Sequence, residues 1–275
     1  MTKPLVALLS GAGISTDSGI PDYRGPNGLW RRDPEAEKLV TYDFYMDDPE
    51  IRRRSWQMRR KNRTLKAEPN AAHRAVAELE RSGVPVRVIT QNVDGLHQAA
   101  GALDVVELHG GLDRVICLDC GARESRFALD ARLRAANPSF DAHVAQVNPD
   151  GDVELADDEL AGFRMVKCCE CGGDMVKPDV VFFGENVPKP RVQQCFDLVD
   201  SARSLLVVGS SLTVMSGFRF VRRAARAGTP VAIVNQGATR GDEHAHVRVD
   251  APLGAVLPAL VQTVTSARDG RRPLP

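Results

Sequence analysis

Neither sign of charge is in excess in this chain: 36 lysines and arginines stand against 36 aspartates and glutamates in 275 residues. Nothing in that balance draws the whole molecule toward nucleic acid or an anionic membrane, so binding of either kind would need a local patch. There is also no apolar run near the ~20 residues of a membrane span. The first apolar run starts so early that no signal or transit peptide is expected before it. Internal repeats and low-complexity blocks are absent, which excludes solenoid and fibrous architectures. A disulfide framework is not expected either. Of the six cysteines, four fall in two Cys-x-x-Cys pairs, a metal-binding pattern of reducing compartments, and the expected location is the cytoplasm. What remains is the composition of a globular protein large enough for a full core, 43% hydrophobic and 26% charged.

Short apolar runs recur at 5–9, 84–90, 205–209 and 231–235, with helix-like patterns at Ala71–Arg81, 192–202 and 218–227. Strands this apolar on both faces need helices on both sides. The expected class is therefore α/β, a Rossmann-like parallel sheet with helices on both faces. Each run ends in polar or glycine residues: Ser10-Gly-Ala-Gly13, Gln91-Asn-Val-Asp94, Gly209-Ser-Ser211 and Asn235-Gln-Gly237. In an open parallel sheet such ends converge on one ligand-binding crevice. The sheet domain is expected to comprise 1–24, 70–110 and 179–265. Residues 25–69 read as a loop and small helical insert beside the first glycine turn. Residues 111–178, which hold both cysteine pairs and an acidic run, read as a small zinc-binding domain, and 266–275 as a disordered tail.

The first strand runs straight into Gly11-Ala-Gly-Ile-Ser-Thr-Asp-Ser-Gly-Ile-Pro-Asp-Tyr-Arg24. A buried strand ending in close glycines, followed by Ser and Thr, offers backbone N–H groups and a positive helix end to a phosphate. The spacing is Gly-x-Gly-x5-Gly, not the Gly-x-Gly-x-x-Gly of ordinary dehydrogenases, and no P-loop lysine follows. Dinucleotide binding and a simple tight strand-to-helix turn both fit this segment alone.

Cys117-Leu-Asp-Cys120 and Cys168-Cys-Glu-Cys171 each offer two thiols to one tetrahedral ion. Four thiolates satisfy Zn²⁺ and leave no open position, so the expected role is folding and not catalysis. The 47 residues between the pairs exceed the gap of about 15–20 in simple ribbons, which implies an insertion. Cys169 replaces Cys168 only by forming a cramped Cys-x-Cys pair, and the glycines Gly121 and Gly172-Gly173 suit knuckle turns that use Cys168. Cys195 lies in a helical apolar pattern and is expected in the core.

Gln91-Asn92-Val-Asp94-Gly95-Leu-His97 and Glu107-Leu108-His109-Gly110 add amide, carboxylate and imidazole groups near the crevice. Taken in order with the glycine segment, the two cysteine pairs, Lys177-Pro-Asp-Val-Val-Phe-Phe-Gly184, Gly209-Ser-Ser-Leu212 and Val234-Asn-Gln236, they resemble the sirtuin family over nearly the whole chain. The resemblance implies NAD-dependent protein deacylation, with NAD held in the Rossmann-like domain, one structural Zn²⁺ per chain, and an acyl-lysine protein substrate entering between the domains. It implies cofactor contacts at Gly11, Ala12, Gly13, Thr16, Asp22, Tyr23, Arg24, Gln91, Asn92, Asp94, Gly209, Ser210, Ser211, Asn235, Gln236, Gly237 and Leu253. His109 matches the catalytic base, with Asn92 and Asp94 beside the nicotinamide ribose. Val180, Phe182, Phe183, Gly184 and Glu185 match the strand that pairs with the substrate backbone.

The pattern looks closest to the lipoamidase-type, class II sirtuins. Desuccinylating members carry a Tyr and an Arg three apart in the acyl pocket; here Trp56 and Arg59 take those positions. Arg59 would pair with an acidic acyl chain and Trp56 would favour a long or branched one, unless the segment is a solvated basic face. A mono-ADP-ribosyltransferase is the alternative within the family, and an NAD-dependent oxidoreductase the alternative on the same fold class. A zinc-ribbon nucleic-acid binder is disfavoured by the neutral charge and the acidic insertion. A monomer is expected.

Overall fold

A computed structural model describes residues 6–22, 36–60, 66–138 and 162–268. Its larger part is a sheet of six parallel strands: β1 (Val6–Ser10), β2 (Val86–Thr90), β3 (Val105–Glu107), β7 (Leu205–Val208), β8 (Val231–Val234) and β9 (Val247–Val249), in the order β3-β2-β1-β7-β8-β9. The order reverses between β1 and β7, and the gap that opens there at the carboxyl ends is where an open α/β sheet binds its ligand. Side chains alternate faces along β1. Ala7 and Leu9 pack beneath α7 (Lys189–Ser201) and α8 (Met215–Arg226), whereas Leu8 packs beneath α4 (Ala71–Arg81) and α9 (Leu253–Arg268). All three are fully buried, so β1 is the centre of the core. Cys195 is buried there as expected, and burial pushes its thiol up to about 12.

The sequence pattern found four of the six strands and missed β3 and β9, which are only three residues long. The helix after the first glycine turn is replaced by two 3-10 turns, Ala12–Ile14 and Thr16–Ser18, ended by Gly19 at φ 80°. The C-terminal helix runs to Arg268, so 266–268 are helical and not tail; the rest of the expected tail lies outside the described residues.

The smaller part is an antiparallel sheet, β5-β4-β6, of β4 (Gly110–Cys117), β5 (Arg123–Ser125) and β6 (Val176–Val180), with α6 (Arg126–Ala136) against it. The insert before residue 69 contributes α1 (Ala36–Leu39), α2 (Tyr42–Asp47) and α3 (Pro49–Arg60), and the short α5 (Leu96–Ala99) lies between β2 and β3. Trp56 of α3 is fully buried with Val115, Cys117, Leu129, Leu133 and Cys168, so α3 completes the core of the small module. The acidic run expected in this module lies outside the described residues. Among the described residues no helix is long and apolar enough to cross a membrane.

Candidate active site

The sulfurs of Cys117, Cys120, Cys168 and Cys171 lie within 4.8 Å of one another. A tetrahedral ion with Zn–S bonds of about 2.3 Å asks for sulfur–sulfur edges of about 3.8 Å. Cys117 to Cys171 is 3.7 Å and Cys120 to Cys168 is 3.8 Å, so the donor set fits Zn²⁺. Gly121 N–H and Gly172 N–H close the two knuckles onto the carbonyls of Cys117 and Cys168, both glycines at positive φ. Cys169 points away from the cluster, toward Glu124.

At the switch point a cavity of about 490 Å³ spans the two parts. Gly11, Ala12, Gly13, Asp22, Gln91, Asn92, Asp94 and His109 line it, with Gly209, Ser210, Ser211, Asn235 and Gln236 on the far side. Val180, Phe182, Phe183, Gly184 and Glu185 form its small-module wall, joined by Arg59. Gly11 and Gly13 are small for a reason other than the one their spacing suggests. A Cβ on Gly11 would lie 2.7 Å from Ser210 Cβ, and one on Gly13 would lie 2.9 Å from Gly209 Cα. Their N–H groups donate to the carbonyls of Val208 and Gly209, so they seam the two strand-end loops together at the cavity.

Several expected contacts stand elsewhere. Thr16 is exposed and its hydroxyl donates to Gly13 C=O, so it braces the turn. Gly237 N–H donates to Asp250, outside the wall. Leu253 is buried in the core beneath Gly209 and does not line the cavity. Trp56 must be moved from the acyl pocket to the module core, where its Nε1–H donates to Tyr45 Oη and to Val176 C=O. Tyr23 and Arg24 lie outside the described residues.

His109 follows β3, which sets its place at the cavity. Nδ1 lies 2.8 Å from the Gln91 carbonyl and Nε2 lies 2.9 Å from Ser216 Oγ. A carbonyl only accepts, so Nδ1 carries the proton and Nε2 the lone pair. Burial lowers the pKa of this ring to about 4, with Arg191 and Arg219 acting the same way against the Gln91 bond, so the imidazole is neutral at physiological pH. Gln91 also uses its side chain, whose amide donates to Ser10 C=O and Ser210 Oγ across the switch point.

Beneath this layer, Asn92 Nδ2–H donates to Ser15 Oγ at 2.9 Å and Ser15 Oγ–H donates to Asp94 at 2.7 Å. The glycine turn thereby holds the amide and the carboxylate that the sequence singled out. Ser216 escaped sequence reasoning because an isolated serine carries no periodic or spacing signal, and Ser15 was legible only as part of the glycine segment, not as the link between Asn92 and Asp94. On the opposite wall Lys177 Nζ, 4.4 Å above the Phe182 ring, pairs with Glu185 at 3.0 Å. Main-chain groups of the 181–183 segment are engaged within the chain: Val181 N–H with His109 C=O, and Phe183 with Val40 and Tyr42.

Fold and site together define a dinucleotide-type α/β enzyme with a closed four-cysteine module. A family model described as the Sir2 family matches residues 11–216. The chain belongs to the Sir2 family, the sirtuins. It is 58% identical over 255 residues to NAD-dependent protein deacetylase 1 of Streptomyces coelicolor, covering 92% of this chain and 83% of that one. A Sir2 structure solved for its mechanism and regulation superposes with a TM-score of 0.75 at 35% identity, covering 96% and 93% of the two chains. A Sir2 structure with a p53 peptide and NAD+ superposes at 0.72, with 29% identity and coverage of 97% and 93%. Sirtuins use NAD, and the four-cysteine cluster is a fit for their structural Zn²⁺.

Proposed function

We propose that this chain is an NAD-dependent protein lysine deacetylase that moves the acyl group from lysine to ADP-ribose with release of nicotinamide. The observation that carries the reading is His109: a neutral imidazole, its proton held on Nδ1 by Gln91, with the basic Nε2 at a cavity bounded by both parts of the molecule. The relatives named NAD-dependent protein deacetylases support it. NAD, when bound, supplies the labile bond to nicotinamide and the ribose hydroxyl that receives the acyl group. His109, its lone pair on Nε2 beside the cavity, would accept the proton of that hydroxyl. General-base help of this kind is worth about 10²–10⁴ in rate. Asn92 and Asp94, tied together through Ser15, orient the ribose end. Acyl-lysine peptide enters along Val180 to Glu185.

His109→Ala is expected to keep NAD binding and zinc while turnover falls at least about 10²-fold. Full deacetylation by that variant would overturn the assignment. Product analysis separates the other chemistries: free nicotinamide with O-acyl-ADP-ribose is expected, whereas NADH marks an oxidoreductase and label from NAD on protein marks a transferase.

The finer reading concerns the acyl group. Arg59, with its guanidinium 5.5 Å over the Phe182 ring, puts a buried cation on the cavity wall, and this supports faster removal of acidic acyl groups than of acetyl. The preference for long or branched chains drew on Trp56 and is not retained.

A further inference from the structure

Ser216 is the second residue of α8, and it lines the cavity with its Oγ 2.9 Å from His109 Nε2. Since Nδ1 holds the ring proton, the hydroxyl donates and Nε2 accepts. The neighbouring Gly217 is buried against the Gln91 amide so closely that a Cβ there would collide with it. The start of α8 is therefore registered on the same residue whose carbonyl fixes the other nitrogen of the ring. Both edges of the imidazole are held, one from the end of β2 and one from the first turn of α8. The charged groups that face the ring are Arg191 of α7 and Arg219 of α8; Ser216 is the neutral donor between them and the lone pair.

We propose that Ser216 is a positioning residue for the acyl transfer: its hydroxyl holds His109 Nε2 aimed into the cavity until cofactor and acyl-lysine are seated, then yields that place to the ribose hydroxyl. The exchange is one hydrogen bond for another and breaks no covalent bond. A serine hydroxyl turns about a single side-chain torsion, so the handover needs no backbone movement. The inference rests on His109 being the base.

The test uses the zinc-loaded full chain as wild type, Ser216→Ala, Ser216→Thr and His109→Ala, with kcat and KM for NAD measured at pH 8 on an acetyl-lysine peptide. The titration of the His109 ring is followed by NMR. Ser216→Ala is expected to lower kcat about tenfold with KM for NAD within about twofold, a fraction of what the base itself contributes. Its His109 ring should titrate about half to one pH unit higher, because a hydrogen bond to the neutral form is gone. Ser216→Thr, which keeps the hydroxyl, is expected to restore both. An unchanged or higher kcat in Ser216→Ala overturns the proposal, as does a lower kcat with an unmoved titration, which would mark a merely structural role. Activity retained by His109→Ala instead removes the base assignment itself, so the two failures are distinct.

Discussion

Arg59 is a residue whose surroundings do two jobs. Its Nε–H donates to Ser55 Oγ and its carbonyl accepts from Arg126, which anchors it to α3 and to the small module, while its guanidinium lies over Phe182 at the cavity wall. A charge-assisted hydrogen bond to a carboxylate is worth about 1.5–3 kcal/mol. Arg59→Ala is accordingly expected to cut kcat/KM for glutaryl- or succinyl-lysine peptides about tenfold or more and to change acetyl-lysine turnover little. Steady-state rates on a panel of acyl peptides check this, and a clear preference for acetyl in the wild type would overturn it. At this scale His109 was legible at the cavity only through the ordered set of motifs that carries the resemblance, not from Leu-His-Gly alone. The sequence misled at Trp56. Residues three apart on a helix lie on neighbouring positions of one face, but α3 is wedged between two buried environments. Trp56 turns to the module core and Arg59 to the cavity, and spacing says nothing about where that divide falls.

Among the elements, the glycine turn and α4 form a unit. Asn70 caps α4, its side chain accepting from the N–H groups of Ala72 and His73 while the His73 ring accepts from Asn70 N–H. Its amide also donates to Ile14 C=O at 2.7 Å and to Ser18 Oγ at 3.0 Å. Asn70→Ala is expected to cost about 1–2 kcal/mol for the cap and to weaken NAD binding by loosening the turn that holds Ser15. Urea unfolding and calorimetric titration with NAD measure the two effects. The central strands were readable as short continuous apolar runs, and the helices because their apolar period repeats over several turns. β3 and β9 have three residues each, too few for any period to register, yet β3 delivers His109 to the cavity. The two glycines were legible as a place of close approach, whereas their packing against Gly209-Ser210 was not, since a tertiary neighbour leaves no trace in local spacing.

For the molecule as a whole, two responses follow from burial. The core of the small module contains Cys117 and Cys168 themselves, alongside Trp56. Removing Zn²⁺ with a strong chelator is expected to open that core, red-shift the emission of Trp56 and abolish turnover, because metal binding and folding are one equilibrium in such modules. Emission measured in a Trp30→Phe background reads Trp56 alone. The second response is to acid. Burial lowers His73 and His109 to about 4 and His97 to about 3. Below pH 6.5 the unfolded chain takes up protons that the native state refuses, so stability falls with pH until those native values are reached. A loss of about 1 kcal/mol per ring is expected at pH 5.5 relative to pH 7.5, read as a lower urea midpoint; an unchanged midpoint would contradict it.

The seating of Trp56 among the metal-binding cysteines also bears on engineering. A designer who replaces residues 36–60 to retune acyl choice would also replace Trp56, the side chain that fills the cysteine module's core, and the graft would disturb that module before it altered chemistry. The helix and the cysteine module therefore have to be exchanged as a pair of segments that are distant in the chain.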